Sequence, residues 1–121
     1  RIELDVVILS AKYGQGAKAN VFATFEMGVD TDTGFMSVGW VGTGFSDVEL
    51  LRLTSSLRKI IVDYKDDTYS FSPRIVLEVT ADLVTEDANG KTGLRFPRCK
   101  RIRDDKFVND INTEEDVEAL K

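Results

Sequence analysis

Between Asn20 and Val29 apolar and polar side chains alternate almost residue by residue, and they do so again between Ile75 and Leu83. A period of two marks a strand with one buried face, because successive side chains point to opposite sides of the backbone. In the first stretch Val21, Ala23, Phe25, Met27 and Val29 share one face, with Phe22, Thr24 and Glu26 on the other. In the second, Ile75, Leu77, Val79, Ala81 and Leu83 alternate with Val76, Glu78, Thr80 and Asp82, which leaves Glu78 facing outward, either paired with an arginine or simply exposed. Two ribbons of this kind commit the chain to a β-rich domain.

The segments around them complete the pattern. Leu4 to Tyr13, with Val6, Val7, Ile8 and Leu9 at its centre, predicts a first strand that Gly14 and Gly16 break. Asp30 to Gly34 is a turn, and Phe35 to Val41 a third strand. Ser46 followed three residues later by Glu49 forms a capping box, and Leu50, Leu53, Leu57, Ile60 and Ile61 recur at helical spacing. Asp63 to Ser72 reads as a polar loop, and Pro73 opens the fourth strand. Asp87-Ala88-Asn89-Gly90 is a hairpin turn with an Asn-Gly signal. A fifth strand follows from Thr92 to Ile102, interrupted at Pro97, and Thr113 caps a short helix through Leu120. Three strands, a helix and two strands is the order of a five-stranded all-β OB-fold barrel, in which the helix between strands three and four plugs one end. A short C-terminal helix closes the chain.

The 121 residues suit one domain, residues 1–121, with a single core. No apolar run approaches the roughly 18 residues of a membrane span, so no membrane partner is expected. The chain opens on Arg1-Ile2-Glu3 without an initiator Met or a signal peptide, and reads as a piece of something longer. One cysteine and no histidine offer neither an internal disulfide nor a metal site, so a reducing, intracellular compartment is expected. Cys99 itself reads as a packing residue. The net charge of −5 argues mildly against nucleic acid. Its distribution argues the other way: Arg95, Arg98, Lys100, Arg101, Arg103 and Lys106 form a basic strip opposed locally only by Asp104 and Asp105, before an acidic tail.

The strip also carries a resemblance. Leu94-Arg95-Phe96-Pro97-Arg98, a short spacer, then Arg103-Asp104-Asp105-Lys106 resembles the last nucleotidyltransferase motif of ATP-dependent DNA ligases. Leu4-Asp5-Val6-Val7-Ile8 with Gly14-x-Gly16, Val41-Gly42-Thr43-Gly44-Phe45 with Ser46-Asp47, and Val76-x-Glu78-Val79 resemble further pieces of that family, in its order. The chain departs from the pattern in having only Lys18 as the cation of its first glycine loop, Cys99 where an aromatic is common, and no Lys-x-Asp-Gly motif.

The resemblance implies the C-terminal OB domain of such an enzyme. Arg103 and Lys106 would close over the ATP triphosphate while pyrophosphate leaves, and Asp105 would hold them in register. Phosphoryl and nucleotidyl transfer rest largely on positioning and electrostatics, which suits such a role. A solvated charged turn is the plain alternative. Arg95, Phe96 and Arg98 would meet the minor groove beside a nick, with Lys18, Lys100 and Arg101 adding phosphate contacts. Strand alternation alone would instead make Phe96 a core residue between outward arginines. The loop Gly14, Gly16 and Lys18 can approach a DNA backbone or be a plain hairpin, and Gly42 to Phe45 reads as a structural bend.

One face, with Arg103 and Lys106, would thus meet nucleotide. Another, with Arg95, Phe96, Arg98 and Lys18, would meet DNA. The implied partners are nicked duplex DNA and an upstream nucleotidyltransferase domain of the same chain. That domain would supply the adenylated lysine and most of the ATP and Mg²⁺ binding. The piece alone is expected to be monomeric and inactive, its parent serving replication, repair and recombination. Two other readings stand beside this one. A stand-alone OB module for single-stranded nucleic acid is disfavoured because Phe96 is nearly alone among the basic residues. The OB domain of an RNA-capping or RNA-ligase enzyme is disfavoured by Arg95-Phe96-Pro97-Arg98.

Overall fold

A computed structural model describes residues 1–121. The long strand β1 (Ile2–Tyr13) is the spine. It pairs antiparallel with β2 (Phe22–Thr31), which pairs in turn with β3 (Gly34–Val41). Helix α1 (Asp47–Arg58) follows, and then a hairpin, β4 (Ile61–Lys65) and β5 (Thr68–Phe71), that adds to one stretch of β1. Strand β6 (Val76–Ala81) pairs with the rest of β1 and with β9 (Arg98–Ile102). Between those two a separate ribbon, β7 (Leu83–Glu86) and β8 (Thr92–Arg95), projects. The last helix is α2 (Glu114–Glu118). Strands β1, β2, β3, β6 and β9 are the five strands of the OB fold, with α1 between the third and fourth, as the sequence order indicates.

The barrel core gathers Leu4, Val6, Phe25, Met27 and Val38 from the strands with Leu50, Leu53 and Leu57 of α1. Burying each large aliphatic side chain stabilises the fold by roughly 1.5–3 kcal/mol. The capping box of α1 is present in both directions: the Glu49 N–H donates to Ser46 Oγ at 3.1 Å, and the Ser46 N–H to Glu49 Oε1 at 2.8 Å. The Thr113–Asp116 box opens α2 in the same way.

Several expected elements differ, each for a local reason. Alternation in β2 is broken by a bulge opposite Lys12 and Tyr13, so Phe22 turns into the core beside Phe25 while Val21 and Ala23 are only partly buried. A bulge adds one residue and so reverses side-chain parity beyond it. The helix stops at Arg58, and Ile60 and Ile61 lead into β4. Asp63 to Ser72 is no loop but most of a hairpin, turned through Asp66 (φ 53°) and Asp67 (φ 64°). Short aspartates tolerate that left-handed backbone and set the turn. The fourth strand starts at Val76 and is buried along its whole length, because the C-terminal segment lays Ile111 and Val108 over Val7 and Val76; Leu83 belongs to β7. The expected Thr92–Ile102 strand is two strands in two sheets, bent at Phe96 (φ 50°) and Pro97.

Candidate nucleotide and nucleic-acid interface

Strand β9 presents the site. Its pairing with β6 sets Arg98 opposite Thr80 and Arg101 opposite Glu78, with a bulge at Lys100 between them. The inserted residue brings Lys100 and Arg101 to the same side as Arg98. On β9, Arg98 therefore shares its face with Lys100 and Arg101, whereas Arg95 ends β8 in the second sheet. Cys99 points the other way into the core, where burial pushes its thiol up to about 12 and keeps it protonated.

At one end lies a closed network. Arg103 donates through Nε and Nη2 to Asp105 at 2.9 and 3.0 Å, the planar fork meeting both carboxylate oxygens. Its Nη1 reaches Glu78 at 3.2 Å and Asp5 at 3.4 Å. Lys106 Nζ donates to the other oxygen of Asp5 at 2.8 Å. Arg101 Nε donates to Glu78 at 2.8 Å, and Lys100 lies 3.3 Å from Glu3 and 3.6 Å from Glu78. The hydrogen bond from Arg103 holds the Asp105 carboxyl down at about 2, and Asp105 in turn raises the guanidinium above its ordinary range. Glu78 is buried, yet the hydrogen bond from Arg101 outweighs burial and keeps its carboxyl below the usual value. Of the two readings of Glu78, pairing with a motif arginine holds and exposure does not: it is a buried ion-pair hub.

At the other end neither Arg95 nor Arg98 has an ion pair. Phe96 is 70% exposed at the bend between β8 and β9, not a core residue, and the Arg95 guanidinium lies 5.0 Å from its ring centroid. Arg98 is exposed, without an ion pair or a side-chain hydrogen bond, and lines an open depression of about 340 Å³ with Arg1, Glu3, Thr80 and Lys100. Lys18 stands apart in the 3-10 turn Gly16–Lys18 of the β1–β2 connection, exposed and also without an ion pair.

Gly44 supports both ends. At φ 98° it packs so tightly on β9 that a Cβ there would meet the Cys99 carbonyl oxygen and the Arg98 side chain. The Cys99 N–H donates to the Thr43 carbonyl at 2.8 Å, closing β3 against β9. The Gly42-to-Phe45 bend is therefore structural, as read, and Phe45 packs on Phe25 at 5.0 Å.

Sequence reasoning missed Asp5 and Glu3. Their signal is a pair of acidic residues at alternate positions near the start of a largely apolar strand, facing Glu78 and Thr80 across the ladder. The site's donors suit a polyphosphate, since Arg103 and Lys106 converge on the two oxygens of one anion, Asp5. No group of three or more His, Cys, Asp or Glu residues is placed to hold a metal ion, and no helix is long and apolar enough to cross a membrane.

Fold and site together define an OB domain whose last strand carries a cationic motif. The profile of the ATP dependent DNA ligase C terminal region matches residues 18–106, and the chain belongs to that family. The DNA ligase of Methanococcus aeolicus is 39% identical over 113 residues, which cover 91% of this chain and 20% of that protein. The DNA ligase of Methanocaldococcus jannaschii is 39% identical over 120 residues, 97% of this chain and 21% of that protein. The chain thus spans about a fifth of the length of these relatives. Among solved structures, the ligase domain from M. tuberculosis LigD superimposes with a TM-score of 0.79 at 24% identity, covering 93% of this chain and 39% of that one. A mycobacterial DNA ligase D complexed with ATP and MES gives 0.72 at 23% identity, over 93% of this chain and 38% of that one. At this identity the two structures speak for the fold.

Proposed function

We propose that residues 1–121 form the C-terminal OB domain of an intracellular, ATP-dependent ligase that seals nicks in duplex DNA. The observation that carries this is the division of one β9 face into a counter-charged end and an open cationic end. Duplex DNA would meet the open end. Phe96, held out by the bend, would press on the minor groove while Arg95, Arg98 and Lys18 meet phosphates. Lys100 and Arg101 already face carboxylates and would release fewer counterions on binding.

The nucleotide would meet the other end. An upstream nucleotidyltransferase domain would supply the lysine that takes AMP, together with most of the ATP and Mg²⁺ contacts. Arg103 and Lys106 would orient the triphosphate and stabilise the charge on leaving pyrophosphate, with Asp105 holding the guanidinium plane. Magnesium held mainly by that upstream domain would supply charge neutralisation at the triphosphate as AMP is transferred.

The test is made in the full-length enzyme. Arg103→Ala and Lys106→Ala are expected to slow enzyme adenylylation and leave sealing by pre-adenylated enzyme nearly intact. Phe96→Ala and Arg98→Ala should do the reverse. If all four act on the same step, the assignment of ends is wrong.

A further inference from the structure

The nucleotide reading gives Asp5 and Glu78 no task. They are direct register partners across β1 and β6. Like charges so placed are destabilising unless a cation lies between them. Arg103 is that cation, 3.4 Å from Asp5 and 3.2 Å from Glu78, and Lys106 takes the second Asp5 oxygen at 2.8 Å. Asp5 is fixed in turn by the C-terminal segment: its N–H donates to Asn112 Oδ1 at 2.7 Å, and its carbonyl accepts from the Asn112 N–H at 3.0 Å.

We propose that Asp5 and Glu78 are positioning residues for enzyme adenylylation: they hold Arg103 and Lys106 in place as internal counter-anions, and the triphosphate takes the place of Asp5 when the domain closes. The inference rests on the nucleotide reading of Arg103 and Lys106. Long cationic side chains lose considerable rotamer freedom when held, and holding them beforehand removes that cost from the closing step. The opposing effect is electrostatic. Four cations, Lys100, Arg101, Arg103 and Lys106, face four carboxylates, Glu3, Asp5, Glu78 and Asp105, so the network is neutral as it stands. A phosphate must displace a carboxylate to enter. Asp5 thereby lowers affinity for nucleotide while raising the fraction bound in productive geometry.

That trade gives a signature that plain destabilisation does not. In the full-length ligase, Asp5→Asn and Glu78→Gln are expected to tighten the Kd of a non-hydrolysable ATP analogue by roughly three- to tenfold, the size of one screened unit charge. The same variants should slow single-turnover adenylylation at saturating ATP by about tenfold or more, since small misplacements of positioning groups carry large rate effects. Asp104→Asn is the control. Asp104 is the neighbour of Arg103 in sequence, but it pairs with Arg52 on α1 at 3.4 Å and touches neither cation, so it should leave the Kd unchanged. Melting curves of each variant check that the barrel is folded. If Arg103→Ala and Lys106→Ala leave the analogue's Kd unchanged, the nucleotide reading itself fails. If those two weaken it while Asp5→Asn and Glu78→Gln weaken it in parallel or change nothing, the reading stands and the positioning role is overturned. Equal tightening by Asp104→Asn overturns it too, reducing the effect to general charge.

Discussion

At the Arg101–Arg103 end of β9 every basic side chain has a carboxylate within 3.6 Å, whereas Arg95 and Arg98 at the bend have none. Both ends belong to one basic strip in the sequence, and Arg98 and Arg101 share one face of β9. They differ in what the neighbouring strands place opposite them: Asp5 and Glu78 at one end, Thr80 and the backbone at Gly44 at the other, where Glu3 beside Thr80 is taken up by Lys100. Counting cations along a chain therefore overstates the charge available to a ligand. Cross-strand partners decide which cations are structural and which remain free to bind.

The largest effect is expected where both ends share a support. Gly44→Ala places a Cβ against the Cys99 backbone at a left-handed φ and should destabilise the domain by about 2–5 kcal/mol, read by chemical denaturation. It should impair DNA binding and adenylylation together, which no substitution confined to one end does. Next comes Glu78→Ala, which leaves Arg103 half-buried without one of its partners and is expected to cost about 1–3 kcal/mol. Arg98→Ala, by contrast, should leave stability within about 0.5 kcal/mol and weaken DNA binding alone. A melting-temperature drop in Arg98→Ala as large as that in Glu78→Ala would dissolve the contrast.

The smallest effect is an acid transition. Asp105 titrates in the fold at about 2, below its ordinary 3.8, and the Glu78 carboxyl is shifted the same way. A depressed carboxyl contributes stability that is complete above its unfolded pKa and lost as pH falls through the folded one. Stability should therefore decline between about pH 4 and 2, and Asp105→Asn should flatten that decline in a pH series of unfolding curves. Arg98→Ala should show the parent profile, since no carboxylate depends on it.

Much of this was legible in the sequence. The helix was fixed by Ser46 and Glu49, and the order of β1, β2, β3, α1, β6 and β9 by two alternating ribbons around it. The motif residues Arg103, Asp105 and Lys106 came together as read. What escaped depended on parity and on distant partners. A single inserted residue at Lys100 moved Arg98 onto the face of Arg101, and no local pattern announces such a bulge. Asp5 takes no role in the sequence reading because its partners lie 98 and 101 positions away. Phe96 is exposed, as the resemblance implied, but the left-handed bend that holds it out is not visible in alternation, which alone would have buried it. The β4–β5 hairpin hid because Asp66-Asp67 reads as loop polarity as easily as turn geometry.

The central claim is that the two ends of one face are electrostatically distinct. Its most direct test is the salt dependence of nicked-duplex binding by the full-length enzyme, compared between Arg98→Ala and Arg101→Ala over about 50–200 mM salt. The expected result is a log–log slope reduced by about one for Arg98→Ala and nearly unchanged for Arg101→Ala, whose cation already faces Glu78 at 2.8 Å. Equal reductions would contradict the account, because the carboxylates of β1 and β6 would then not set which cations DNA can use.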